Sequence, residues 1–144
     1  MEKEYAIISS CLLGLKCRYD GKSKGIDKKL IEKLKIKYNL IPVCPEQMGG
    51  LQTPRVKVEL KDGKAINFNG EDLTENFKNG AEEVLKLVRI FDCKHAILKS
   101  KSPSCGFEEI YDGTFSGKLI DGKGITAQLL YKNGITINNI LWII

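Results

Sequence analysis

The chain of 144 residues contains no apolar run long enough to cross a membrane, which takes about 20 apolar residues in a helix. Its N-terminus, MEKEYAIISSC, lacks the basic segment and the long apolar core of a signal peptide. Together these absences predict a cytoplasmic protein with no membrane partner. No repeat and no linker divides the sequence, so residues 1–144 are expected to form a single domain.

Histidine is nearly absent, with one residue in the chain, and no two cysteines form a CxxC pair. Both features argue against a zinc finger or zinc ribbon. The five cysteines are an odd number, and disulfides are rare in a reducing cytoplasm. Buried apolar packing, metal ligation and thiol reactivity remain as their roles. The net charge of +5 comes from lysines spread along the chain, which favours a solvated surface over a nucleic-acid patch.

Short apolar runs alternate with amphipathic segments along the chain. Strands are predicted at residues 5–9, 40–43, 95–98 and 135–137, and helices at 27–38, 73–92 and 124–134. Asp27 is the predicted cap of the first helix, and Asp72 with Glu75 resembles a capping box before the second. Asp62-Gly63, within residues 56–68, predicts a β-hairpin. The sequence therefore predicts an α/β fold, a single Rossmann-like domain with a short, mainly parallel sheet flanked by helices, plus a β-hairpin insertion.

Three cysteines come at or just after the ends of predicted strands. They are Cys11, Cys44 and Cys105, which follow the first, second and third strands. Because the carboxyl ends of parallel strands meet at one edge of a sheet, we expect these thiols to converge. Cys93 precedes a strand and is expected at the opposite edge. The pattern leaves the place of Cys17 open.

Three converging thiolates are soft ligands that suit zinc, copper(I) or an iron–sulfur cluster. A four-iron cluster normally takes four cysteines, so three would leave one iron open to act as a Lewis acid. The alternative is that the cysteines are small buried residues that hold no metal. Spacing alone leaves both readings open.

Several sequence blocks carry a resemblance to a known family. The blocks SSCLLGLKCRYDG, PVCPEQMGGLQTPR, DLTENFKNGAEE, ILKSKSPSCG and IYDGTFSG resemble, in this order, the signature blocks of the TudS-like thiouracil desulfidase family. The family was long described as a domain of unknown function, and the resemblance covers roughly residues 5–137. It implies an oxygen-sensitive [4Fe-4S] cluster with three cysteine ligands and one open iron. It also implies removal of sulfur from a small thiolated pyrimidine, with 2-thiouracil giving uracil and sulfide.

The resemblance also assigns residues. It implies that Cys11, Cys44 and Cys105 are the cluster ligands and that Glu46 and Ser102 are catalytic. The thione sulfur is expected to bind the open iron, which makes C2 electrophilic toward water. Glu46 is then expected to serve as the general base or to shuttle the proton to a ring nitrogen. Ser102 is expected to orient the water or to hydrogen-bond the ring. No net electron transfer is required.

Other readings remain at this stage. The same chemistry on a thiolated base in tRNA ranks second, because the chain carries no appended RNA-binding module. A protein that binds a metal or sulfide without turnover, and a protein with five inert cysteines, are the remaining alternatives. Tyr19 and Tyr111 are expected either to stack on a pyrimidine or to pack beneath a loop. Trp142 is expected to pack against the core or a partner chain, and the sequence leaves monomer and homodimer open.

Overall fold

The computed structural model describes residues 2–22 and 25–138. The strands are β1 (Glu4–Ser9), β2 (Tyr38–Val43), β3 (Val58–Lys61), β4 (Lys64–Asn67), β5 (His95–Ile97), β6 (Glu109–Tyr111), β7 (Leu119–Asp121) and β8 (Thr136–Asn138). The helices are α1 (Lys28–Lys37), α2 (Pro45–Met48), α3 (Thr74–Ile90) and α4 (Ile125–Lys132), and a 3-10 turn spans Ser10–Leu13. The prediction for Trp142 lies outside the described residues.

The central sheet has four parallel strands in the order β2-β1-β5-β8. The chain leaves β1 to one side to form β2 and then crosses back over β1 to form β5. The direction of winding therefore changes between β1 and β5, which is where ligands bind in open α/β sheets. The predicted α/β fold with a mainly parallel sheet is confirmed, and so is the hairpin insertion, which is β3 paired antiparallel with β4.

The sheet is buried on both faces, as parallel sheets are. In β1, Ala6, Ile7 and Ile8 are all fully buried, which explains why this strand reads as a continuous apolar run. Helix α3 covers one face of the sheet with an apolar stripe at helical spacing. The stripe comprises Phe77, Ala81, Val84, Leu85 and Val88. Val84, Leu85 and Val88 pack against the sheet, whereas Phe77 packs against the β3–β4 hairpin. Each large side chain in it contributes roughly 1.5–3 kcal/mol through burial.

The start of α3 differs from the prediction. The Asp27 cap of α1 is confirmed, since its side chain accepts a 2.7 Å bond from the backbone N–H two residues later. The capping box of Asp72 and Glu75 is wrong. Asp72 Oδ1 accepts from the backbone N–H of Thr74 at 2.9 Å, and the Thr74 hydroxyl accepts from the backbone N–H of Ala65 at 3.0 Å. These side chains tie α3 to the β3–β4 hairpin.

The sequence did not predict a second hairpin, formed by β6 and β7. Its strands have three residues each, which is too short for an alternation to be recognised. The Glu59 carboxylate, 1% exposed, holds the loop between these strands. Its Oε1 accepts from the backbone N–H groups of Gly113 and Phe115, each at 3.0 Å. This long-range anchor joins the loop to β3.

Helix α2 is a single turn that lies against α3 through two glycines. A Cβ added at Gly49 would lie 2.0 Å from the carbonyl oxygen of Asn76. A Cβ added at Gly80 would lie 1.9 Å from the carbonyl oxygen of Pro45. Both contacts are with backbone, which cannot swing aside, so only glycine permits this approach.

We predict that Gly80→Ala will destabilise the protein, although alanine normally stabilises a helix interior. The added methyl group must displace α2, and overpacking of this kind costs about 1–3 kcal/mol. Denaturant unfolding measures the effect. Glu82→Ala, at an exposed position of the same helix, is the control and should change the unfolding free energy by less than about 0.5 kcal/mol. A Gly80→Ala protein as stable as wild type would contradict the close approach.

Candidate metal centre and active site

A pocket of about 190 Å³ opens at the carboxyl edge of the sheet, where β1, β2 and β5 end. Four cysteines line it, namely Cys11, Cys17, Cys44 and Cys105. The structure thus brings together the three cysteines that follow strands. Cys93 is buried ahead of β5, away from this lining, as expected.

Cys17, whose place the sequence left open, belongs to this cluster. Its thiol hydrogen-bonds with the thiols of both Cys11 and Cys44. The Cys44 thiol also donates to the carbonyl oxygen of Cys17, with a sulfur–oxygen distance of 3.6 Å. Cys17 is 6% exposed, which is close to the 4% of Cys105, and both residues line the pocket. The only sequence signal was its presence in the same loop as Cys11.

The thiols differ in how readily they ionise. The hydrogen bond with Cys17 lowers the pKa of Cys11. The hydrogen bond with Cys17 and then burial raise the pKa of Cys44. Burial raises the pKa of Cys105 to about 12. Because metals bind thiolates, loading this site must release protons from Cys44 and Cys105.

Glu46 lies in α2, and Arg55 holds its carboxylate. Arg55 Nε donates to Glu46 Oε1 at 3.1 Å, and the two side chains are 9% and 13% exposed. The same guanidinium donates to the carbonyl oxygens of Cys17 at 3.0 Å and Gln52 at 3.1 Å, and to the hydroxyl of Thr53 at 2.9 Å. Sequence reasoning missed Arg55. The one feature that could have indicated it is that Arg55 ends the same sequence block, PVCPEQMGGLQTPR, that contains Glu46.

Two serines connect Glu46 to the loop of Cys105. The Ser104 hydroxyl donates to Glu46 Oε2 at 2.9 Å, and the hydroxyl oxygens of Ser102 and Ser104 are 3.0 Å apart. Ser102 Oγ accepts from the backbone N–H groups of Ser104 and Cys105, each at 3.1 Å. Ser102 therefore reaches Glu46 through Ser104. Sequence reasoning missed Ser104, which is the second serine of the SPSC block.

The lining also contains basic and aromatic residues. Its positively charged side chains, apart from Arg55, are Arg18, Lys57, Lys99 and Lys101, and its aromatic residues are Tyr19 and Tyr111. Burial lowers the pKa of Lys99. Lys57 Nζ lies 4.9 Å from the ring centroid of Tyr111, so the ammonium group and the ring form a cation–π contact. Glu46 is the one acidic residue of the lining, so the pocket favours electron-rich or anionic ligands.

The donor set is compatible with an iron–sulfur cluster. Within residues 2–22 and 25–138, no three His, Cys, Asp or Glu side chains surround one point as the ligands of a single metal ion do. A four-iron cluster binds each thiolate through a different iron, so its ligands surround a volume. Thiols from three separate loops around one pocket meet that requirement, and their softness suits iron–sulfur chemistry.

Comparison with known proteins decides the family. A family model described as 2-thiouracil desulfurase matches residues 6–139. The chain belongs to the 2-thiouracil desulfurase family. A relative in this comparison is the "Uncharacterized protein YbbK" of Bacillus subtilis (strain 168), 40% identical in an alignment 141 residues long that covers 91% of this chain and 92% of YbbK.

A solved structure supports both the fold and the family. The [4Fe-4S]-dependent thiouracil desulfidase TudS matches with a TM-score of 0.91 and 41% identity, over 95% of this chain and 91% of TudS. The family resemblance of the sequence blocks is thereby confirmed. None of the helices in the part of the chain that the structure describes is long and apolar enough to span a membrane.

We predict that the four cysteines of the pocket differ in their effect on iron content. Alanine at Cys11, Cys44 or Cys105 should abolish the brown colour and most of the iron after anaerobic loading with iron and sulfide. Cys17→Ala should keep about four irons per chain, as a single cluster requires. Visible spectra and iron analysis measure the outcome. Cys93→Ala is the control for loss of a buried thiol, and loss of iron in Cys17→Ala would contradict the three-ligand set.

Proposed function

We propose that the chain is a [4Fe-4S]-dependent desulfidase that removes sulfur from a small thiolated pyrimidine, converting 2-thiouracil to uracil and sulfide by hydrolysis without net electron transfer. The observation that carries the proposal is the meeting of Cys11, Cys44 and Cys105 with Glu46 in one pocket of a chain of this family. The similarity to TudS, a [4Fe-4S]-dependent thiouracil desulfidase, supports it.

Cys11, Cys44 and Cys105 would hold the cluster. Bound with three cysteine ligands, such a cluster supplies an iron without a protein ligand, a soft Lewis acid suited to a thione sulfur. The surroundings fit its charge, because Lys99 lies near enough to Cys11 and Cys105 to affect both thiols electrostatically. To serve as ligands, the buried thiols of Cys44 and Cys105 would have to lose their protons.

Glu46 is the proton acceptor in this proposal. Each carboxylate oxygen has two acceptor directions, and Arg55 and Ser104 occupy one direction on each oxygen. One direction on each oxygen remains for a water in the pocket. As the water oxygen bonds to the thione carbon, one water proton passes to Glu46. The C=O bond then forms as the C–S bond breaks, and the hydroxyl derived from water loses its second proton. Glu46 returns the first proton to the departing sulfide, directly or by way of a ring nitrogen, so water supplies both the oxygen of uracil and the protons of the sulfide.

We predict that Glu46→Gln will keep the cluster and lose turnover. The amide keeps the size of the side chain but cannot accept the proton, and general base catalysis contributes about 10²–10⁴ in rate. Uracil formation from 2-thiouracil, measured anaerobically on protein of known iron content, is the readout. Glu109→Gln, at an exposed carboxylate outside the pocket lining, is the control. Full turnover in Glu46→Gln, or bound cluster with no turnover in the wild type, would contradict the proposal.

A second candidate substrate is a thiolated base within tRNA. The four additional cations of the pocket lining favour it, because phosphate contacts need Lys and Arg. The two substrates differ in their dependence on salt. For free 2-thiouracil, we expect KM to change little between 50 and roughly 200 mM salt. For a tRNA substrate, affinity should fall at least about tenfold over this range, and more steeply with each further phosphate contact. A steep fall with thiolated tRNA, together with slow turnover of the free base, would establish the second candidate.

A further inference from the structure

The hydrogen bonds between the two serines and Glu46 run in one direction. An ionised carboxylate only accepts, so the Ser104 hydroxyl is the donor in its 2.9 Å bond to Glu46 Oε2. With its hydrogen used, Ser104 Oγ must be the acceptor in its 3.0 Å contact with Ser102 Oγ. The Ser102 hydroxyl therefore donates to Ser104, and Ser104 donates to Glu46.

This direction leaves Ser102 without spare hydrogen-bonding capacity. A hydroxyl has one hydrogen and two acceptor sites. The hydrogen of Ser102 points to Ser104, and the backbone N–H groups of Ser104 and Cys105 fill both acceptor sites at 3.1 Å. Nothing on this hydroxyl is left for a water or for a pyrimidine ring. The expected role of Ser102, to touch the water or the ring, does not fit this arrangement.

The arrangement fits a different role. Each donor in the chain is polarised by the donors before it, which strengthens the last bond, the one that Glu46 receives. Ser104 is 2% exposed and so is fixed in place by its surroundings. Glu46 Oε2 is held by Ser104 on one side, and Oε1 by Arg55 on the other, which prevents rotation of the carboxylate.

We infer that Ser104 is a positioning residue that fixes the Glu46 carboxylate toward the pocket, and that Ser102 acts on the reaction only through Ser104. This inference rests on the proposed function, in which Glu46 receives the proton from water. Glu46 is then the sole member of the three that touches the reacting atoms. Ser102 and Ser104 contribute orientation, which appears in kcat rather than in substrate affinity.

The test is a double-mutant cycle on cluster-loaded protein. Ser104→Ala should lower kcat about 10- to 100-fold, as displacement of a catalytic group does, and leave KM within about twofold of wild type. The double variant Ser102→Ala/Ser104→Ala should be no slower than Ser104→Ala alone, since the effects of residues that act as a unit do not multiply. A double variant whose loss is the product of the two single losses would overturn the inference, because Ser102 would then act independently.

A Glu46→Ala background separates positioning from general structural damage. There, alanine at Ser102 or Ser104 should leave the residual rate unchanged, because no carboxylate remains to be positioned. A further loss of rate would overturn the inference. The matched control is Ser116→Ala, made both in wild type and in the Glu46→Ala variant. The hydroxyl oxygens of Ser116 and Thr114 are 2.6 Å apart, and this exposed pair lies outside the pocket lining.

Two readouts are independent of turnover. Iron content and the visible spectrum should be the same in Ser104→Ala as in wild type. Ser104 Oγ lies 3.7 Å from Cys105 Sγ, so loss of iron would overturn the inference by showing that Ser104 supports Cys105. An anaerobic crystal structure of the loaded wild type with uracil should show Ser102 Oγ bonded to Ser104. Ser102 Oγ turned to the ligand would overturn the inference, even if a failure of thiouracil turnover had already refuted the proposed function.

Discussion

The parallel pairing of β1 with β2 on one side and with β5 on the other determines where the functional side chains lie. Parallel strands end at the same edge, so three segments that are distant in sequence deliver their next residues to one place. Cys11 follows β1, Cys44 follows β2, and Cys105 lies in the loop that follows β5. An antiparallel arrangement of any one of these strands would move its cysteine to the opposite edge of the sheet.

Gathering polar groups at this edge has a cost that the local contacts offset. A buried carboxylate without a partner is strongly destabilising, and Glu46 is largely buried. Arg55 offsets this cost and also donates to the carbonyl groups of Cys17 and Gln52. One guanidinium thus joins the first cysteine loop to the segment that carries the second cysteine. A lysine would lack the planar fork that makes these bonds at once.

The sequence predicted the elements and the three thiols because both follow from periodicity and from the order of strands. Apolar runs specify β1 and β5. Cys11 and Cys44 lie close to the ends of β1 and β2, and Cys105 lies in the loop that follows β5, so no knowledge of side-chain direction was needed. The family resemblance added Glu46 and Ser102. Cys17 and Ser104 were not predictable in this way. Their contacts depend on how irregular loops turn, and loop geometry has no periodic signal in sequence.

The hairpin of β6 and β7 and the capping of α3 illustrate the same limit. The loop of the hairpin is held by Glu59, whose partners are more than 50 residues away. At the start of α3, Thr74 bonds to the neighbouring hairpin, so the local capping box does not form. In both cases a side chain bonds to another element of the fold, and no local pattern in the sequence indicates that bond.

Helix α2 links stability to function. A single helical turn is not stable alone, because nucleation costs more than one turn of hydrogen bonds returns. Its position must come from docking, and the contact of Gly49 and Gly80 with the backbone of the opposing helix supplies it. Glu46 lies on this turn, directly after Cys44 and Pro45. The position of the carboxylate therefore depends in part on two glycines that lie outside the pocket lining.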